Sequence, residues 1–178
     1  MLRHVIDRLT PQVETAVINA DGDPRRFLAF GLPVVADTEQ DFVGPLAGVL
    51  AGMRWSTEHA PQARWIVTAP GDAPLLPRDL VPRFAEAVKD KDDSIALAQS
   101  DGQMHPVIGL WPVALMQDLH EQLGAGTRKV LDWTDRHRTV AVPFPSTAVC
   151  RLSIDPFYNA NTPQELEELR AMLANKSN

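Results

Sequence analysis

The chain has a single cysteine, Cys150, among 178 residues, so no disulfide can form within it. That scarcity fits a reducing compartment, and the thiol reads as a small, half-buried hydrophobe beside a strand. No apolar run approaches the roughly 20 residues needed to span a bilayer. Met1-Leu2-Arg3-His4 opens into an amphipathic pattern, not a secretory leader. A cytoplasmic protein without a membrane partner is therefore expected. Basic residues are in deficit. The net charge of −6 argues against nonspecific binding to nucleic acid or anionic membranes. It leaves room for a small phosphorylated ligand, because a pocket can be locally positive in an acidic protein. No internal repeat and no linker are visible, and the length fits one domain over residues 1–178. What is present is an apolar fraction of 44%, enough for a sizeable core, and 15 prolines that fall mostly singly between periodic segments.

One stretch organises the rest: Thr68-Ala69-Pro70-Gly71-Asp72-Ala73-Pro74-Leu75-Leu76-Pro77. Trp65-Ile66-Val67 leads into it, and helical spacing over 78–88 follows. It reads as the exit of a buried strand, a tight Pro/Gly turn and a helix start. Asp72 stands where the strand ends. In open parallel sheets ligands bind outside the carboxyl ends of the strands. A carboxylate there suits Mg²⁺, which is typically held by one or two carboxylates plus substrate phosphates. A Gly-Asp pair is also a common turn, so on this stretch alone both readings stand.

The remaining pattern alternates. Leu2, Val5, Ile6 and Leu9 recur at helical spacing up to Pro11. Residues 13–20 and 32–36 read as strands, closing in polar turns at Asn19-Ala20-Asp21-Gly22-Asp23 and at Asp37. A turn of helix over 25–30, stopped by Gly31, joins them. Pro45 suits the first turn of a helix, and Gly44, Gly48 and Gly52 fall near one face of it. Gly44 reads as close approach to a ligand at the helix N-terminus, where free N–H groups suit phosphate. Gly52 reads as packing. Further strands are expected over 64–68, 94–99, 105–111, 139–142 and 148–154, and helices over 78–88, 113–123 and 127–134. Thr162-Pro163-Gln164-Glu165 is a capping box that opens a closing helix over 165–173. The four tryptophans read as packing. Strands alternating with helices give an α/β fold with a mostly parallel sheet.

Seven segments carry a resemblance: Val17-Ile18-Asn19-Ala20, Val34-Val35-Ala36-Asp37, Gly44-Pro45-Leu46-Ala47-Gly48, Pro70-Gly71-Asp72-Ala73-Pro74, His105-Pro106, Arg128-Lys129-Val130 and Asn159-Ala160-Asn161-Thr162-Pro163. In this order and spacing the chain resembles the molybdenum cofactor guanylyltransferases, nucleotidyltransferases with a Rossmann-like fold. The Gly-Pro-Leu-Ala-Gly segment favours them over cytidylyl relatives. The resemblance implies transfer of GMP from GTP to molybdopterin, giving the guanine dinucleotide form and pyrophosphate. It implies Mg²⁺ as cofactor and molybdoenzyme maturation proteins as possible further partners. Carried over by position, Asn19 and Asp37 look like contacts to the guanosine, and Gly44 and Gly48 line the nucleotide. Asp72 looks like the metal ligand and the catalytic carboxylate. Arg128, Lys129, Asn159 and Asn161 look like parts of the pterin-phosphate side. In such a reaction the attacking phosphate is already ionised and needs no general base, so His105 reads as structural or substrate-orienting. Two other readings remain: a non-catalytic nucleotide-binding or scaffold protein of molybdoenzyme maturation, and a cytidylyl or sugar nucleotidyltransferase.

The family opens on an apolar strand and a Leu-Ala-Gly-Gly loop that runs through Arg-Met-Gly to a Lys and cradles the triphosphate. Neither stands in this sequence, because Met1 aligns past both, inside the family's first long helix. That strand would be central, and without it strand edges with unpaired backbone groups are expected in the core. An internal methionine taken as the start and a true fragment are the two explanations, and the helical pattern at Met1 to Leu9 favours the first. On either, the 178-residue chain alone is expected to be a weak transferase with a low melting temperature, restored by the upstream strand and loop.

Overall fold

The computed structural model describes residues 1–37, 44–149, 152–159 and 165. In chain order the elements are α1 (Leu2–Leu9), β1 (Ile18–Asn19), β2 (Val34–Val35), α2 (Pro45–His59), β3 (Trp65–Thr68), α3 (Leu80–Val88), β4 (Ile95–Ser100), β5 (Gln103–Pro112), α4 (Met116–Gly124), α5 (Val130–Thr134), β6 (Thr139–Pro143), β7 (Thr147–Val149) and β8 (Leu152–Ile154). Short 3₁₀ turns at Thr10–Gln12, Pro24–Phe30 and Val113–Leu115 join some of them. None of the described helices is long and apolar enough to cross a membrane.

The architecture follows from the run Ile95-Ala96-Leu97-Ala98, which is buried throughout. A strand covered on both faces needs such a continuous apolar run. Ile95 and Leu97 pack with Leu46, Leu50, Met53, Trp111 and Trp133. Ala96 and Ala98 pack with Leu80, Phe84, Ile108 and Val5 on the opposite face. The result is three layers, with α1 and α3 on one side of the sheet and α2, α4 and α5 on the other. The larger sheet has the order β3-β5-β4-β6, and β1-β2 and β7-β8 form separate two-stranded sheets.

The α/β class expected from the alternation is what forms. β1 is parallel to β2 and β4 to β6, while β5 runs antiparallel to both of its neighbours. The reversal is made at Asp101-Gly102, whose φ angles are +47° and +80°. Positive φ at both central residues is the two-residue hairpin turn that Asp-Gly favours. Further along this hairpin the register jumps: Leu97 faces Gly109, but Ala98 faces His105. The surplus residues Pro106, Val107 and Ile108 form a bulge, where a proline has no ladder hydrogen bond to lose. A Cβ on Gly109 would lie 2.8 Å from Leu97 Cδ2 and Trp111 Cζ2, so no side chain fits at the crossing.

Three expected strands differ in extent. Of residues 13–20 only Ile18–Asn19 are strand, of residues 32–36 only Val34–Val35, and the expected run over 148–154 is the antiparallel pair β7-β8. Cys150 and the closing helix over 165–173, apart from helical Glu165, lie outside the described residues.

The segment after β8 is pinned to the β4-β5 hairpin. Ser100, 2% exposed, donates its hydroxyl to Asp155 Oδ2 at 2.8 Å. With that hydrogen committed, Ser100 Oγ accepts from His105 Nε2, 2.5 Å away. The His105 ring also lies against Phe157, with centroids 4.7 Å apart. Burial pushes the His105 pKa below the usual imidazole value, against the opposing pull of Asp155. The folded state therefore prefers neutral His105. This preference contributes stability above the unfolded pKa of about 6.5, and the contribution is lost as pH falls through the lower folded value. Denaturant unfolding from about pH 8 to about pH 5 should show a decline below about pH 6.5. His105→Gln should flatten it; an unchanged decline in the variant would place the titration elsewhere.

Candidate functional site

Parallel β1 and β2 end side by side, so the polar residues that follow them meet. Asn19 Nδ2 donates to Asp37 Oδ1 at 2.9 Å and to the Val35 carbonyl at 3.1 Å. The backbone N–H of Asp37 donates to Asp21 Oδ1 at 3.2 Å. The carboxamide of Asn19 lies against the backbone of α2 at Gly48, where a Cβ would come within 2.4 Å of Asn19 Oδ1. The glycine is a clearance for Asn19, and any side chain there displaces it. At the start of α2, Gly44 has φ +105°, a conformation that L side chains rarely adopt. No side chain caps this helix, and Pro45 occupies its first turn. Its free N–H groups are of the kind that bind anions. The Arg128 carbonyl oxygen would lie 3.7 Å from a Cβ on Gly44, which brings the segment before α5 up to the same helix end. Arg128 Nη1 donates to the Leu123 and Thr127 carbonyls at 2.7 and 2.9 Å, and Lys129 beside it is exposed.

The second polar turn follows β3. Thr68 at its end accepts from Trp111 Nε1 at 2.8 Å and donates to the Val107 carbonyl at 2.9 Å. Asp72 then carries one buried carboxylate oxygen, Oδ1, with no hydrogen-bond partner. An unpaired buried oxygen is costly, and a cation is the partner that a carboxylate in such a place accepts. Among the described residues no group of three or more His, Cys, Asp or Glu converges as a metal cage. A single carboxylate such as Asp72 could hold a hard cation only if water and phosphate complete its shell. The loop beyond Asp72 is clamped from α1 and the turn after it. Gln12 Nε2 donates to the Pro77 carbonyl, and Gln12 Oε1 accepts from Val81 N–H, both at 2.9 Å. Arg8 donates to the Leu76 carbonyl at 3.1 Å. Gln12 thereby caps α3, whose own N-cap residue, Asp79, makes no side-chain cap bond.

A cavity of about 450 Å³ lies between the two turns, bounded by Asn19 and Gly48 on one side and by Pro70 and Gly71 on the other. The structure thus gathers Asn19, Asp37 and Gly48, with Gly44 and Arg128 at the adjoining helix end, and sets the Asp72 turn across the cavity. Asn159 is exposed just beyond the segment that Ser100 holds, and Asn161 lies outside the described residues. Asp21 and Gln12 were not among the site residues expected from sequence. Asp21 stands in the polar turn after β1 and was visible there only as turn chemistry. Gln12 acts across 69 positions, where no local signal exists.

This amide–carboxylate pair at two strand ends, beside an uncapped helix start, belongs to a nucleotidyltransferase. The model of the MobA-like NTP transferase domain matches residues 1–140, and the chain belongs to that family, among the molybdenum cofactor guanylyltransferases. The molybdenum cofactor guanylyltransferase of Rhodopseudomonas palustris (strain BisB5) is 49% identical over 169 residues, covering 94% of this chain and 78% of the relative. That of Bradyrhizobium sp. (strain ORS 278) is 48% identical over 175 residues, covering 98% and 80%. The fold is that of the molybdopterin-guanine dinucleotide biosynthesis protein A from Archaeoglobus fulgidus, with a TM-score of 0.68 at 17% identity over 98% of this chain and 85% of that one.

The Gly48 clearance yields a direct test. Gly48→Ala should push Asn19 off Asp37 and weaken nucleoside triphosphate binding at least about tenfold, or ~1.4 kcal/mol, by calorimetry. Unchanged affinity would show that Asn19 does not need its present position.

Proposed function

We propose that this chain transfers GMP from GTP to molybdopterin, giving the guanine dinucleotide form of the cofactor and pyrophosphate. The observation that carries the reading is the unpartnered, buried Oδ1 of Asp72 at the strand-exit turn, in a chain of this family. An oxygen of the pterin's terminal phosphate attacks the α-phosphorus of GTP. A new P–O bond forms while the bond from the α-phosphorus to the bridging oxygen breaks, and pyrophosphate leaves with that electron pair. The attacking oxygen is already ionised, so no proton has to be removed. Reactions of this kind depend on positioning and on neutralising charge.

Each residue then has a task that follows from its place. Asp72 would hold Mg²⁺, which when bound offsets the charge on the phosphates. Asp37 offers a carboxylate to guanine N1–H and N2–H₂ or to a ribose hydroxyl. Asn19 holds one oxygen of that carboxylate, Oδ1, and so orients the group. Gly44 and Gly48 let the nucleotide approach the α2 backbone. Arg128, Lys129, Asn159 and Asn161 supply charge and amides to the pterin-phosphate side. His105, with Nε2 committed to Ser100, orients the bulge and is no base. Residues 1–178 act as one nucleotidyltransferase domain, and the substrates place its work in the cytoplasm.

Asp72→Asn should lower Mg²⁺-dependent pyrophosphate release about 100-fold or more while the melting temperature stays within a few degrees. Near-normal turnover would remove Asp72 from the metal site. GTP should bind at least about tenfold more tightly than ATP or CTP, since a carboxylate aimed at N–H donors meets acceptors on the wrong bases. Equal affinities in calorimetry would point to a transferase of another nucleotide.

A further inference from the structure

Adjacent residues at the β4-β5 turn hold both approaches to the β7-β8 pair. On the entering side Ser146 donates its hydroxyl to Asp101 Oδ2 at 2.7 Å. On the leaving side Ser100 donates to Asp155 Oδ2 at 2.8 Å. The two bonds differ in setting. The first is exposed, where water competes for both partners. Ser100 is 2% exposed, and its oxygen accepts from His105 Nε2 while its hydrogen goes to Asp155. A buried hydroxyl with a carboxylate acceptor makes one of the stronger hydrogen bonds, and its removal leaves partners without a substitute.

Asp155 uses its other groups on the chain ahead. Its Oδ1 accepts the Phe157 N–H at 2.8 Å, and its carbonyl accepts the Tyr158 N–H at 3.0 Å. The carboxylate thereby closes a turn whose next residue is Asn159. Phe157, 5% exposed, anchors that turn from inside. Its ring stands edge-on to Phe144 and tilted against His105, with centroids 5.2 and 4.7 Å away. Tyr158 and Asn159 beyond the anchor are exposed. In the bulge that His105 opens, the Val107 carbonyl takes the hydroxyl of Thr68, which leads into the Asp72 turn. The Asp155 turn and the Asp72 turn are thus tied to one bulge, through His105 and through Val107.

We propose that Ser100 and Asp155 are positioning residues for the pterin side of the reaction. The Ser100 hydroxyl fixes the Asp155 turn against the bulge and so sets where Asn159 stands relative to Asp72. This rests on Asn159 serving the pterin phosphate; neither Ser100 nor Asp155 has to touch a substrate. A misplacement of about 1 Å, caused far from the reacting atoms, can cost about a hundredfold in rate. A turn whose carboxylate has lost its buried partner gains that latitude.

The test measures molybdopterin and GTP affinity of the 178-residue chain by calorimetry, together with amide exchange at Phe157 and Tyr158. Ser100→Ala should weaken molybdopterin binding and speed both exchanges at least about tenfold, with GTP affinity within about twofold of the unsubstituted chain. Ser100→Thr, which keeps the hydroxyl, should restore both. Asp155→Ala breaks the same bond from its partly exposed end and should show the same split between ligands, so the test holds even where the buried substitution impairs folding. Equal loss of both ligands would make the bond a general support of the fold and overturn the proposal. So would unchanged molybdopterin binding in Ser100→Ala, with His105 then bonded directly to Asp155. Asn159→Ala separates the two readings. If it binds molybdopterin as the unsubstituted chain does, or if that chain takes up none, the pterin-side assignment falls and the proposal with it. If Asn159→Ala loses binding and Ser100→Ala does not, the assignment stands and the positioning role falls.

Discussion

The double burial of β4 is the constraint from which the rest follows. A strand covered on both faces cannot tolerate a polar side chain on either, and Ile95 to Ala98 meets that condition. Its large residues, Ile95 and Leu97, face the tryptophan side, and its alanines face Phe84 and Ile108. The alternation of large and small decides how close each helix layer can come. Where β5 crosses Leu97 there is room for no side chain at all, and Gly109 answers that need. The bulge beside it aims Pro106 and Val107 into the cavity and delivers the carbonyl that Thr68 binds. A packing requirement at the centre thereby reaches the rim of the site.

Sequence reasoning reached the helices and buried strands well, because burial leaves a periodic trace. α1, α2, β3 and β4 fall where spacing and punctuation place them. It overreached where apolar character was taken for pairing. Residues 13–17 have strand-like composition, but composition reports affinity for an interior, not the presence of a hydrogen-bonding neighbour, and only Ile18–Asn19 have one. The same confusion made one strand of the antiparallel pair β7-β8. The direction of β5 is set at Asp101-Gly102, a strong hairpin signal whose consequence is a strand antiparallel to β4.

For the site, what the sequence shows is chemistry at the ends of strands; what it hides is the support. Asn19 and Asp37 stand 18 residues apart and touch because parallel strands end together. Arg8 and Gln12, by contrast, act on the Leu76–Val81 loop from a helix that the linear pattern connects to nothing. The glycine row of α2 and the packing role of Gly52 were legible, but the positive φ at Gly44 and the clearance for Asn19 at Gly48 were not. Gly44 supplies a left-handed start, Gly48 a clearance for Asn19, and Gly52 close contact with Ile66, 3.1 Å from where its Cβ would be.

The brevity of β1 and β2, two residues each, bears on the order in which the molecule comes apart. Cooperative units with few buried contacts and short ladders open at lower free energy than the core. The β4-β5 hairpin closes over a two-residue turn and carries the buried run Ile95 to Ala98, so it belongs to the most persistent unit. The β1-β2 pair packs on the rest chiefly through α2 and belongs to the least persistent. The Asn19–Asp37 pair therefore opens at lower free energy than the sheet that leads to Asp72. The two polar turns thus sit at opposite ends of the molecule's own stability gradient, and a ligand held by Asn19 and Asp37 would stabilise the less persistent end.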